Sequence, residues 1–553
     1  MLPIIPLTLN IKSKSHQPRA KSHKLKAKSQ KKANNLKKNL PFQLFTVAFI
    51  GAMFFPRVLP EGMFFDGLFY ANIARDMVYG SGTFWHPHFF VTFWGEHIGN
   101  TTDFFGHPAL AMWLLSGWYR IFGDHWFVEK AFCILVWCIT VFLVIKIWTL
   151  DTGQWTMDNR QKANTQNPKS EIRNRKSDWW LPVFIWYCMP VVMWSYPYFI
   201  LDNLMGVFSL GAAYLIMYEV LSMNYVHKKA IQDFKSMPFI VHRSSFIVLL
   251  HLAFLTKGPV GLYPLAIPFL FSLVYSKNLS VKKGFLISFI LSFITIASLC
   301  LWYFYPPAHL FWQNYFHTQI MSSLSQNEHT EVYSWRDYTL VLQNLAVSAL
   351  PGIGVASILW CFSKIKNTAF NITEEDKKKS LFYFLVAMSG SLPMLVSHKT
   401  SWHYLIPCLP FLAMSFAAFF ETTLNDWLEK FKLTENKSKK VNGFLVVLNM
   451  GVLVYCLTLI GTVAREKDLI NDLKIFKSNI PRHTYIGVPL DMMNDFTYHA
   501  YFERYGDWVL QTPNDSLRFC LMLKNENKPD SLLFKKYSKL PLPSLKLFDV
   551  YVK

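Results

Sequence analysis

Apolar runs of roughly 18 to 25 residues recur along this chain, and no other feature limits its fold so severely. A helix rises about 1.5 Å per residue, so each run can cross about 30 Å of hydrocarbon. Trp, Tyr and Phe crowd the ends of the runs, as interfacial anchors do. Spans are expected near 41–60, 126–150, 179–201, 204–225, 244–257, 259–276, 285–305, 338–362, 381–397, 404–421 and 443–463. The expected fold is an all-α polytopic membrane protein with about 11 transmembrane helices and a small C-terminal α/β domain.

Charge sets the expected topology. The formal net charge of +21 would suit a nucleic-acid binder if it lay on one face, but Lys and Arg are concentrated in alternate loops. That pattern points to membrane orientation and to no nucleic-acid partner. Residues 1–40 carry eleven Lys or Arg and no Asp or Glu, an expected cytoplasmic tail that also suits contact with anionic membrane lipids. No cleavable signal peptide is recognisable, so the first run reads as an uncleaved span. With the tail inside, the Lys/Arg-rich loops 151–178, 226–243, 277–284, 363–380 and 422–442 all fall on the cytoplasmic side, as the positive-inside rule requires. An odd number of spans then places the polar segment 464–553 outside.

Two stretches depart from simple spans. Gly and Pro interrupt the fifth and sixth at Lys257-Gly258-Pro259, which suggests a broken pair whose turn lines a cavity. The segment 107–123 is short and polar-interrupted and reads as an interfacial helix. In the tail, HTYIGVPL, RFCLML and LKLFDVYVK read as strands, with REKDLINDLKIFKSN and DMMNDFTYHAYFERYG as helices. Seven of the eight cysteines fall in apolar runs and only Cys520 lies in the tail, so neither a disulfide framework nor a zinc site is indicated.

Under this topology the strongest polar groups collect at one membrane face. Asp66 lies in the first outer loop, 61–125. Asp202 follows the third span, and Lys257 sits at the fifth-to-sixth turn. His329 and Arg336 fall in the loop after the seventh span, and His398, Lys399 and His403 at the ninth-to-tenth turn. Carboxylates, imidazoles and cations beside lipid are costly to maintain, which makes them functional candidates. Together they suit a reaction on a lipid-linked phosphate, with cations holding the anionic leaving group and a carboxylate taking a proton. Simpler roles stand beside these: Lys257 and Lys399 as snorkelling helix-end lysines, Asp66 and Asp202 as helix N-terminal carboxylates, and the histidines as hydrogen-bonded interfacial residues.

Five segments in order carry a family resemblance. DGLFYANIARDMVYGSGTFWHPHF begins at Asp66 and continues into FFGHPALAMWLLSGWYRIFG; then come ILDN at 200–203, FLTKGPVGLYPLAIP at 254–268 and SHKTSWHYLIPCLPFLA at 397–413. This ordered set resembles the membrane-embedded glycosyltransferases of the GT-C superfamily, in particular the glycosyltransferase 39 group that contains protein O-mannosyltransferases and bacterial lipid A aminoarabinose transferases. The resemblance implies a GT-C fold, a polyprenyl-phosphate-sugar donor, a glycolipid, glycan or protein acceptor, and inversion at the anomeric carbon at the outer face. It implies location in a bacterial inner membrane. On that template Asp66 is the base or the acceptor-orienting carboxylate, Asp202 a second acidic residue, and Lys257 and Lys399 donor-phosphate contacts. Arg75 and His329 also match family positions.

The departures are local. The family's Asp-Glu is Asp66-Gly67 here, and its Glu-Lys-Pro is Gly106-His107-Pro108. Gly106 removes an acidic group from any divalent-metal site borrowed from the aminoarabinose transferases, whereas His107 retains a cation or hydrogen bond for phosphate. Two rivals use the same charges. A lipid-linked-sugar flippase predicts inverted repeats, which the hydropathy does not show. A non-catalytic envelope assembly protein would account for the changes at Gly67 and Gly106.

Overall fold

A computed structural model describes residues 39–88, 103–154, 179–226, 238–324, 335–367, 370–397, 401–430, 435–524, 536–542 and 544–553. The N-terminal half contains α1 (Asn39–Val58), α2 (Phe65–Tyr79), α3 (Leu110–Phe122), α4 (Val128–Gln154), α5 (Trp180–Tyr187), α6 (Pro190–Ser195), α7 (Leu201–Val226) and α8 (Pro238–Lys257). After a 3-10 segment at Pro259–Ala266 come α9 (Ile267–Val274), α10 (Val281–Cys300), α11 (Pro306–Tyr315), α12 (Trp335–Ile365), α13 (Glu374–Ser391), α14 (Leu409–Phe419), α15 (Glu421–Lys430) and α16 (Glu435–Thr458). Most of the basic tail lies outside the described residues, as does most of the loop 151–178.

Among the described residues seven helices are long and apolar enough to cross a membrane: Asn39–Val58, Val128–Leu150, Leu201–Leu221, Val281–Phe304, Thr339–Ile365, Glu374–Val396 and Asn436–Thr458. The protein is an integral membrane protein. The other four expected spans fall on shorter or broken helices, and proline explains most of the breaks. Pro190 starts α6 where the third span would run on, and Pro259 and Pro264 turn the sixth into a 3-10 segment followed by α9. α14 begins at Leu409 with Pro410 in its first turn, so the tenth span is a short helix too.

The helices divide into a packed centre and a lipid-facing shell. α7 buries 72% of its apolar window within the protein, against 11% for Val281–Phe304 and 11% for Asn436–Thr458. The centre groups α7 with α8, the 3-10 segment, α13 and α14, where Trp186, Tyr187, Phe271, Tyr383 and Phe411 are fully enclosed. α13 starts on a capping box: Thr373 Oγ1 accepts from Asp376 N, and the Asp376 carboxylate accepts from Thr373 N. α3 buries Ala111, Met112, Leu115 and Tyr119 and exposes Trp113, Ile121 and Phe122, the two-faced pattern of a helix lying at an interface.

The C-terminal segment is a small α/β unit. α17 (Lys467–Asn479) and α18 (Phe496–Gly506) pack on a five-stranded sheet of β1 (Tyr485–Gly487), β2 (Val509–Gln511), β3 (Phe519–Leu523), β4 (Ser538–Leu540) and β5 (Phe548–Val552), in the order β2-β1-β3-β5-β4. β1 pairs parallel with β2 and β3, while β5 runs antiparallel to β3 and β4. Buried Asp472 of α17 accepts from the backbone of Lys546 and Leu547, which anchors the chain entering β5.

Candidate active site

The site is built on the start of α2. Leaving α1, the chain forms a short parallel bridge to the end of the last span: Glu61 N donates to Thr462 O at 2.8 Å, and Ala464 N donates to Glu61 O at 3.2 Å. The Glu61 carboxylate is fixed by Tyr505 and Lys474, each at 2.5 Å. Tyr501 Oη then closes on the backbone of Met63, accepting from its N–H at 2.9 Å and donating to its carbonyl at 2.7 Å. α2 therefore starts at Phe65 from a turn that the C-terminal unit holds still. Asp66 lies in the first helical turn, where a carboxylate gains from the helix dipole but makes no capping bond.

α2 has two faces. Asn72 Nδ2 donates to Ala500 O at 2.9 Å, and Arg75 pairs with Asp124 at 2.9 Å and Asp507 at 3.1 Å. Nine residues separate Asp66 from Arg75, two and a half helical turns, so the two side chains leave opposite sides. Asp66 and Tyr70, one turn apart, share the other face.

That face meets the ends of α7 and α8. Lys257, the last residue of α8, donates from Nζ to Asp202 Oδ2 at 2.5 Å, and its ammonium lies 3.8 Å from the centroid of the Tyr404 ring. His403 Nε2 is 3.7 Å from the same carboxylate oxygen, while its Nδ1 lies 2.8 Å from Ser401 Oγ. Asp66 feels both Lys257 and Asp202, and His107 feels Lys257 and His403. The Tyr70 ring lies 5.9 Å from that of His107. Thus Asp66, Asp202, Lys257, His107 and His403 come together from five separate stretches of the chain.

Burial decides the protonation states here. It raises the Asp66 carboxyl to about 6, with Lys257 opposing the shift and Asp202 adding to it. Burial also lowers His107 and His403, helped in each case by the Lys257 charge, so both imidazoles are neutral near pH 7. The His403–Asp202 approach is thus a contact between a neutral ring and a carboxylate, and Lys257 is the cation. Burial raises Tyr70, which stays a phenol beside Asp66.

Arg75 lies elsewhere. Arg75 is 1% exposed with its guanidinium taken up by two carboxylates and the Glu503 carbonyl, so it braces α2 against the C-terminal unit. His329, His398 and Lys399 lie outside the described residues, and Arg336 belongs to the first turn of α12. Tyr70, Tyr404 and Tyr315 join the site without having been singled out by sequence. Tyr315 donates to the Lys257 carbonyl at 3.2 Å. The i, i+4 relation of Tyr70 to Asp66 was the one local signal available.

No protein-family description matches the chain, and no curated protein does. Solved structures do match. ArnT from Cupriavidus metallidurans bound to undecaprenyl phosphate superposes with a TM-score of 0.52 at 14% identity, covering 92% of this chain and 97% of that one. ArnT, a lipid A aminoarabinose transferase, belongs to the GT-C superfamily. This protein has the GT-C fold. The apo form of the same ArnT gives a TM-score of 0.50 over the same shares of both chains, again at 14% identity.

Within this GT-C chain the sequence departures have steric causes. A Cβ on Gly67 would sit 3.0 Å from both Met63 Sδ and Phe199 N, because α2 lies flush on the loop before α7, so a glutamate there would require Met63 and that loop to shift. A Cβ on Gly106 would meet the Phe104 ring at 2.6 Å, and that ring packs against Tyr70 and His107. Among the described residues no three His, Cys, Asp or Glu groups converge to hold a metal, and Asp202 is already paired with Lys257. The described residues of the site do not fit a divalent ion.

Proposed function

We propose that the protein is an inverting glycosyltransferase that moves a sugar from a polyprenyl-phosphate donor to a lipid, glycan or protein acceptor at the outer face of the membrane. The observation that carries this is Asp66: a carboxylate raised to about 6, on the first turn of a clamped helix, facing the Lys257–Asp202 pair. A base is most useful when its pKa lies near the working pH, since it is then ionised and still able to hold a proton. ArnT, the neighbour of like fold, was solved with undecaprenyl phosphate, which supports a donor of that class here.

In this reading the acceptor hydroxyl attacks the anomeric carbon from the side opposite the polyprenyl phosphate. A new C–O bond forms as the C–O bond to phosphate breaks, and the hydroxyl proton passes to Asp66. Lys257 faces the departing phosphate and balances its growing charge. Asp202 is 1% exposed and already bonded to Lys257, so its part is to fix that ammonium, with Tyr404 flanking it. Neutral His107 and His403 offer N–H donors to phosphate oxygens. The basic loops favour a cytoplasmic N-terminus and an exoplasmic C-terminus, as expected in a bacterial inner membrane.

Asp66→Asn keeps the shape and removes the base. With purified protein in nanodiscs and a panel of polyprenyl-phosphate sugars, the variant should bind donor as the wild type does and transfer at least about a hundredfold more slowly. Full transfer by Asp66→Asn would refute the assignment. Movement of intact lipid-linked sugar without release of polyprenyl phosphate would favour a flippase instead.

A further inference from the structure

Beside the proposed centre lies a second cationic group that the reaction above does not use. Lys130, in the first turn of α4, is 3% exposed, and among the described residues its Nζ has no hydrogen-bond partner. A lysine at a helix end usually snorkels until its ammonium reaches water; this one does not. Its neighbour Glu129 acts on it only through space, because the Glu129 oxygens accept from Tyr119 at 2.8 Å and from Arg504 at 3.1 Å.

A second cation shares the same surroundings. The bridge between residues 61 and 463 carries Arg465 over the Phe64 ring at 5.2 Å and over the Tyr198 ring at 5.7 Å. Lys130 Nζ stands 5.5 Å from that same Tyr198 ring. Among the described residues the carboxylate paired with Arg465 is Glu466, at a loose 3.8 Å. Ring faces attract cations but do not neutralise them, and an ammonium buried with no hydrogen-bond partner is held at a cost. Two cations on one tyrosine, with so little negative charge between them, leave a field that an anion would satisfy.

The rings run on toward the centre. Trp194 lies 5.0 Å from Phe64, 5.8 Å from Tyr198 and 4.4 Å from Trp402, and its ring is 6.1 Å from that of His403. Trp402 is exposed and Trp194 partly so. Flat indole faces suit the C–H face of a pyranose, which is apolar beneath its hydroxyls.

We propose that Lys130, Arg465, Tyr198, Trp194 and Trp402 form a subsite for a sugar ring bearing an oxyanion, a phosphate or a carboxylate, on the acceptor side of Asp66. Assigning it to the acceptor rests on the transferase reading; its affinity for an anionic sugar does not. The Lys257 pair faces the donor phosphate, and this subsite holds the charged ring that presents the attacking group. Acceptor choice then follows from charge, with neutral sugars lacking the contact that holds them.

Full-length protein in nanodiscs titrated with glucose 1-phosphate, glucuronate and glucose, read by tryptophan fluorescence, tests this. The two anionic sugars should bind and glucose should not. Lys130→Gln and Arg465→Gln should each weaken binding at least about tenfold, as loss of a charge-assisted contact does. Lys130→Arg should retain it. Arg465 is at the surface, so its variant reports even where Lys130→Gln does not fold. Equal binding of all three sugars or unweakened binding by Arg465→Gln would overturn the proposal. Transfer activity of Asp66→Asn tests the enzyme reading separately, and either result there leaves the anion subsite standing on its own titration.

Discussion

A carboxyl held near 6 must depend on pH in two ways, and both are measurable at Asp66. The ordinary carboxyl value is 3.8, so between about pH 4 and 6 the folded protein keeps a proton that the unfolded chain gives up. Stability therefore falls as pH rises through that window, and the lost part, about 3 kcal/mol at most, stays lost above it. Asp66→Asn should thus melt higher than wild type at pH 7.5 and at nearly the same temperature at pH 3.5. Activity runs the other way. With a hydroxyl acceptor, transfer should drop as pH falls below about 6, while a flat rate from pH 5 to 8 would mean that the attacking group arrives already ionised. Asp66 stood out in the sequence because a charge beside an apolar run needs a reason. Arg75 was misplaced because its partners, Asp124 and Asp507, lie 49 and 432 residues away, beyond any local pattern. Lys130 passed unnoticed inside an apolar run, since hydropathy averages a single cation away.

Among the elements, the break between α8 and the 3-10 segment does most to place Lys257. Gly258 adopts φ +106, and a Cβ there would run into the Tyr315 hydroxyl that donates to the Lys257 carbonyl. Gly258→Ala should cost about 1–3 kcal/mol in strain and displace the ammonium, so donor affinity should fall together with the melting temperature. Restoring room with Tyr315→Phe in the same chain should recover part of the melting temperature but little of the affinity. The break was legible as Lys-Gly-Pro, because glycine and proline act on the backbone locally. The shortness of α5, α6 and α14 was less so, since hydropathy adds up apolar side chains without registering where a helix stops. In the tail, β3 and β5 were visible as apolar runs, whereas β2 and β4 are three-residue strands that only their neighbours define.

At the scale of the whole molecule, the membrane helices and the C-terminal unit meet through a buried charge network. Arg504 of α18 reaches Asp124 at 2.8 Å and Glu129 at 3.1 Å, and Arg75 shares Asp124 from α2. Burial alone would raise the Asp124 carboxyl, but Arg504, Arg75 and Arg482 together hold it down at about 2, so this carboxylate stays charged through the working range. Removing one member strands the others: Arg504→Ala should lower stability by about 3–5 kcal/mol, read by thermal unfolding in detergent. Arg504→Lys, which restores one charge but not the fork, should recover only part of that. Sequence showed both parts of the molecule but not this joint, because neither hydropathy nor strand pattern reports which charges meet.

The Tyr501 clamp on Met63 also sets an order of events. Among the described residues every membrane helix is synthesised before Tyr501 leaves the ribosome, yet the turn that starts α2 is not fixed until Tyr501 closes on Met63, nor its far face until α18 receives Asn72 and Arg75. A nascent chain can therefore hold all its helices in the bilayer while its Asp66 helix is still unfastened. On the proposed reading catalytic competence would wait for the C-terminal unit, and chains clipped before Tyr501 should insert in the membrane yet show no transfer.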